Sequence, residues 1–168
     1  MVCALTVGKK KYADVQELAI ESQKKGNELK AQFVDVIDRD TEAFNAVSAV
    51  FAMPKDTDEE KAARKAAMQE ALKGCTKTPF EMMELACQAL ELTRSVVGKL
   101  NASAASDLGC AALSLKAAIQ GAWLNVLINI GGIQDQAFAD EYRQKGQALL
   151  DKALPLADAI YQEVLESL

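Results

Sequence analysis

Apolar positions in this chain recur at steps of three and four, the period of a helix face. Upstream of Gly8, MVCALTVGKKKY reads as the end of a helix. Residues 13–52 then run without proline to Pro54, and their inward stripe reads Ala19, Ser22, Gly26, Leu29, Phe33, Ile37, Asp40, Phe44, Val47 and Phe51. This predicts one long helix, or two nearly collinear ones. Thr57 and Glu60 have the spacing of a capping box and open a helix over 58–73, with Gly74 as its stop. Thr78, Pro79 and Glu81 repeat the device, with proline at the first helical position, and predict another helix to about residue 97. Residues 103–130 carry only Asp107 and Lys116 as charges and end at Gly131 and Gly132. Their length would suit a membrane span, but Lys116, Gln120, Asn125 and Asn129 inside the segment favour a buried central helix. A last helix runs from near Asp135 toward Leu168, with Phe138, Tyr142, Leu149, Ala153, Leu156, Ile160 and Val164 on one face and a kink expected at Pro155. The expected architecture is all-α, an antiparallel bundle of long helices around a central apolar helix, with residues 1–168 as one domain.

Composition supports this pattern and narrows the chemistry. The chain is 50% hydrophobic but only 5% aromatic, and alanine is abundant, which favours closely packed helices over sheet. A net charge of −5 gives no general attraction to nucleic acid or to anionic membranes. Cys3, Cys75, Cys87 and Cys110 form no CxxC pair, so neither a zinc site nor a dithiol centre is expected, and a reduced cytoplasmic protein fits best. There is no histidine. That excludes Ser-His-Asp and Cys-His catalysis and leaves proton transfer to carboxylates, lysines, tyrosines or cysteines.

Asp40 stands out because Ile37 and Phe44 on either side predict an apolar residue at its place in the stripe. A carboxylate there would be desolvated and suited to chemistry, unless the helix breaks near Asp38 and Asp40 caps its second half. Asp107 either caps the apolar helix, as Ser103 or Ser106 would, or heads a face of small and polar residues comprising Ala111, Ser114, Ala118, Gly121, Asn125 and Asn129. Such a face admits a neighbouring helix closely or leaves room for a ligand, and close packing is the expected outcome. Asp107 and Asn125 are about 27 Å apart on a straight helix. Lys9 and Lys10, beside Lys11, are either a solvated helix end or an anion site.

Several segments together resemble the formiminotetrahydrofolate cyclodeaminase and methenyltetrahydrofolate cyclohydrolase family. They are LTVGKKKY from Leu5, DTEAF from Asp40, the Met53-Pro54-Lys55 turn, Asn101 leading to SDLGCAA from Ser106, NVLIN from Asn125, and Asp135 after the double glycine. The resemblance implies an all-helical bundle that commonly dimerises and folate one-carbon chemistry, with no metal and no cofactor beyond the tetrahydrofolate substrate. It implies conversion of 5-formiminotetrahydrofolate to 5,10-methenyltetrahydrofolate and ammonia, or hydrolysis of the methenyl compound to 10-formyltetrahydrofolate. Asp40 and Asp107 become the catalytic candidates. Asn101, Ser106, Asn125 and Asn129 become candidates for binding the pterin or amide linker, and Lys9 and Lys10 for the glutamate tail. A homodimer and a formiminotransferase are the implied partners. Family members usually carry a glycine- and alanine-rich helical stretch upstream of LTVGKKKY, whereas this chain begins at Met1 inside the end of that helix.

Overall fold

The computed structural model describes residues 1–168 as five α-helices and no strand: α1 (Val2–Thr6), α2 (Gln16–Phe51), α3 (Asp58–Val96), α4 (Ala105–Ile130) and α5 (Gln136–Ser167). Short 3-10 segments at Lys10–Val15 and Ala102–Ala104 precede α2 and α4. The expected all-α bundle of long helices is present. Neighbours in sequence pack antiparallel: Gly26 lies against Leu92, Asp40 bonds Thr78, and Asn129 bonds the backbone of Cys75. Consequently α2 and α4 run parallel to each other on either side of α3.

The helix at the centre is α3, which packs against α2, α4 and α5. Met83 and Leu90 of α3 are fully buried with Ile119, Val126 and Ile130 of α4 and Ile160 of α5. The apolar α4 packs between α3 and α5 but leaves Leu113, Leu124 and Ile128 exposed by 46%, 67% and 75%. Glycines set how closely it lies on α5. A Cβ at Gly146 would fall 2.0 Å from the Trp123 ring, and one at Gly109 would fall 3.2 Å from Val164.

Two expectations about element boundaries are corrected. Residues 58–96 form one helix, with Gly74, Thr78 and Pro79 in its interior. Proline inside a helix removes one N–H and costs about 3 kcal/mol, because the carbonyl four residues back loses its donor. Here that carbonyl belongs to Cys75, and the Asn129 side-chain amide of α4 donates to it at 2.7 Å. Thr78 caps nothing; its hydroxyl donates across to Asp40. The start of α4 is the second correction. Its N-cap position is Ala104, with no side-chain cap, so neither Ser103, Ser106 nor Asp107 fills that role. The capping box at Thr57 and Glu60 forms as expected, and α5 continues through Pro155.

The inward stripe of α2 also departs from expectation after Phe33. Its buried line steps by three to Val36, which clusters with Leu29 and Leu85, and not by four to Ile37. Ile37, Phe44 and Phe51 are therefore 59%, 64% and 65% exposed. Asp40 between them is exposed as well, not half-buried in an apolar face.

Replacing Gly146 by alanine should destabilise the bundle by about 1–3 kcal/mol, because the rigid Trp123 ring cannot yield, although alanine is the better helix former. A thermal melt at or above the wild-type Tm would contradict this packing. Asp135 caps α5 by accepting the Phe138 amide and pairs with Lys73 at 3.0 Å, and these two partners hold its carboxyl below the usual 3.8. A depressed carboxylate stabilises the fold above its ordinary pKa, and that contribution is lost as pH falls through the lowered value. Asp135→Asn retains a good cap without the titration, so its Tm should fall less steeply than wild type on acidification below about pH 4.

Candidate active site

The parallel pair α2 and α4 leaves a groove floored by α3 and closed at one end by α1. The groove holds a cleft of about 560 Å³. Cys3 enters it from α1, Ser22, Gly26, Asn27 and Lys30 from α2, Thr93 from α3, and Asp107, Cys110 and Ser114 from α4. Gly26 opens the α2 wall, and the small residues of α4 open the other. At Gly121, further along that face, an added Cβ would meet nothing within 4 Å. The small-residue face of α4, expected to be filled by a neighbouring helix, thus stands open onto the groove.

Asp107 is half-buried in the first turn of α4, where a carboxylate complements the positive end of the helix dipole. It takes part in no side-chain hydrogen bond or ion pair and is the only carboxylate lining the cleft. Lys30 is the only lysine or arginine there. The Cys3 thiol is pushed up by burial, which keeps it protonated and unreactive near neutral pH. The cleft therefore offers one free carboxylate, the free Lys30 ammonium, the amino terminus at Met1, and hydroxyls and amides between them.

The other sequence candidates distribute along and outside this groove. Asp40 accepts a 2.6 Å hydrogen bond from the hydroxyl of buried Thr78. The Asp107 end of the cleft lies level with Ser22, and eighteen residues of α2 separate Ser22 from Asp40, about 27 Å. The two aspartates do not meet at one reacting centre within a chain. Asn125 is exposed near the level of Asp40 and donates to the Gly121 carbonyl at 3.1 Å. Asn129 is engaged with Cys75 as described above. Asn101 joins three segments: its side-chain oxygen accepts from the Tyr12 hydroxyl and the Ser103 amide, and its amide donates to the Leu5 carbonyl. Ser106 is exposed beside Asp107, while Lys9 and Lys10 are exposed at the 3-10 segment and do not line the cleft.

Sequence reasoning found Asp107 but missed Lys30, Asn27 and Thr78. Lys30 and Asn27 flank Leu29 of the buried stripe, a position from which a long or polar side chain reaches the groove edge. Thr78 was hidden behind its resemblance to an N-cap.

Parallel helices that pair a carboxylate with an ammonium along one elongated cleft define a bundle protein suited to a long ligand with polar or charged groups at both ends. The profile described as formiminotransferase-cyclodeaminase matches residues 1–148, and the chain belongs to that family. It is 41% identical to a methenyltetrahydrofolate cyclohydrolase of Methylorubrum extorquens, over 98% of this chain and 79% of that protein. It is 30% identical to the formimidoyltransferase-cyclodeaminase of Sus scrofa over 91% of this chain but only 28% of that enzyme. Its fold matches the crystal structure of formiminotetrahydrofolate cyclodeaminase from Thermotoga maritima with a TM-score of 0.78 at 26% identity, covering 100% of this chain and 78% of the other.

Proposed function

We propose that this protein is a folate one-carbon enzyme and that its reaction is the cyclohydrolase one, conversion of 5,10-methenyltetrahydrofolate to 10-formyltetrahydrofolate. The observation that carries the reading is the single unpartnered carboxylate, Asp107, in the cleft of a chain similar along nearly its whole length to a methenyltetrahydrofolate cyclohydrolase. The methenyl carbon lies between two nitrogens and shares a positive charge. The Asp107 carboxylate stabilises that charge, takes a proton from the water that adds to the carbon, and returns it to N5 as the carbon–N5 bond breaks, while the added hydroxyl gives up its own proton to solvent as it becomes the formyl oxygen. A second reading, the cyclodeaminase reaction, draws on the fold match to the Thermotoga enzyme. There N10 attacks the formimino carbon, ammonia departs, and the same carboxylate moves the proton from N10 to the leaving nitrogen. Both reactions use only water, or nothing, beyond the tetrahydrofolate, so the reading calls for no metal or further cofactor.

A cytoplasmic location accords with four free cysteines, and a formiminotransferase is the natural supplier under the second reading. The homodimer is also part of the proposal. Beyond the cleft, Ala117, Gly121, Leu124 and Ile128 are all exposed on α4 and alternate in steps of four and three, the spacing of a coiled-coil seam. Ile37, Thr41, Phe44, Ser48 and Phe51 repeat that spacing, equally exposed, on α2. The seams leave Ile37, Phe44 and Phe51 on α2 and Leu124 and Ile128 on α4 more than half exposed, the kind of apolar surface that supports association.

Incubation with methenyltetrahydrofolate should bleach the methenyl chromophore faster than the enzyme-free control, whereas a cyclodeaminase would generate that chromophore from 5-formiminotetrahydrofolate. Asp107→Asn should lower kcat by about 10²–10⁴ with the helical circular dichroism intact. Asp40→Ala should lower Tm and change kcat less than about tenfold, since it removes the acceptor of the Thr78 hydroxyl and stands outside the cleft. The reverse ranking would move the chemistry to Asp40. For the assembly, Leu124→Glu with Ile128→Glu should convert a dimer to a monomer in light scattering after size exclusion; an unaltered mass would rule out the α4 seam.

A further inference from the structure

We propose that Lys30 is the residue that binds the carboxylates of the substrate's glutamate tail, an assignment that rests on the folate reading above. Three observations carry it. Lys30 is the only lysine or arginine lining the cleft, and it takes part in no ion pair or side-chain hydrogen bond. Its sequence surroundings leave it so by construction. The positions three and four residues away on α2, where a helical lysine finds an intrahelical carboxylate, are Gly26, Asn27, Phe33 and Val34. An ammonium without a local partner, held at a cleft, is available to an incoming anion.

The third observation is length. Because α2 and α4 run parallel, Asp107 lies level with Ser22 and Lys30 lies level with Ser114 at the other end of the cleft. Eight residues of α2 separate Ser22 from Lys30, about 12 Å. In an extended folate the methenyl carbon and the glutamate carboxylates are separated by an aminobenzoyl ring and one amide, about 10 Å on ordinary bond lengths. A folate with its methenyl carbon at Asp107 therefore delivers its carboxylates to Lys30. Gln23 and Asn27, which precede Lys30 at steps of four and three on the same face, supply amides toward the linker. Lys9 and Lys10 lie on the exposed 3-10 segment, outside this line.

The test uses 5-formyltetrahydrofolate and the corresponding 5-formyltetrahydropteroate, which lacks the glutamate, as calorimetric probes of wild type, Lys30→Met and Lys30→Arg. Lys30→Met should weaken the folate about ten- to a hundredfold, the loss of a charge-assisted contact, and leave the affinity for the pteroate within about twofold. Lys30→Arg should recover most of the folate affinity. Because Lys30 is exposed, the fold should be unaffected, and circular dichroism checks that. An undiminished folate affinity in Lys30→Met would overturn the assignment, as would an equal loss for both probes, which would indicate general damage to the cleft. Wild type that binds neither probe and leaves methenyltetrahydrofolate untouched would instead refute the folate reading, and the Lys30 assignment with it.

Discussion

A missing hydrogen-bond donor in the middle of the longest helix organises the rest of this molecule. Pro79 cannot supply the N–H that the Cys75 carbonyl would otherwise receive, and that carbonyl is buried among three helices. The Asn129 amide of α4 fills the vacancy, and one residue before the proline the Thr78 hydroxyl reaches the opposite way to Asp40 of α2. Elsewhere in α3, threonine hydroxyls fold back on their own helix: Thr76 bonds the Leu72 carbonyl and Thr93 the Ala89 carbonyl. Of these three threonine hydroxyls only the one beside the proline bonds to another helix. Together the Asn129 and Thr78 bonds tie α2 and α4 to the same turn of α3.

Fixing both helices at one level fixes their register along their whole length, because a helix advances by a constant 1.5 Å per residue. Asp40 and Asn125 then share one level, and Ser22 and Asp107 another, eighteen residues away on each helix. The groove between them is about 27 Å long, more than one folate spans, so its two ends cannot serve a single reacting carbon. The end beside α1 has the cleft. There Gly26 approaches Leu92 closely enough to bring α2 onto α3, while Ala111 and Ser114 keep the α4 wall low. The same small residues that would have admitted a helix leave space for a planar ligand once register holds the neighbouring helices apart.

Much of this was legible in the sequence, and the parts that were not share a physical cause. The capping box at Thr57 and the end of the first helix ahead of Gly8 are local signals, and each appears where its residues predict it. Pro79 misled because proline at the first helical turn and proline in a helix interior follow the same kind of threonine. The difference lies fifty residues away, in whether Asn129 is present to bond Cys75. The stripe of α2 misled for a different reason. At 3.6 residues per turn a step of three and a step of four from Phe33 are nearly equivalent, and Val36 and Ile37 are equally apolar. Leu85 of α3 selects Val36, so Asp40, which looked desolvated on the chosen face, lies beside the exposed one.

The absence of histidine acquires its meaning from how the carboxylates are occupied. Asp40 spends a lone pair on Thr78, Asp135 holds Phe138 and Lys73, and Glu81 grips Arg39 through both oxygens at 2.6 and 2.7 Å. Each is a structural acceptor whose charge is already answered by a donor. Asp107 has no such partner, although its place at the start of α4 would suit one. A methenyl cation offers no N–H or O–H at its charged carbon, so what it needs from the protein is negative charge without a competing donor. The same free oxygens can take the proton that an adding water must lose, a task an occupied carboxylate performs poorly. Under the proposed reaction, a cleft without an imidazole draws both the charge and the proton acceptor from one aspartate left unbonded.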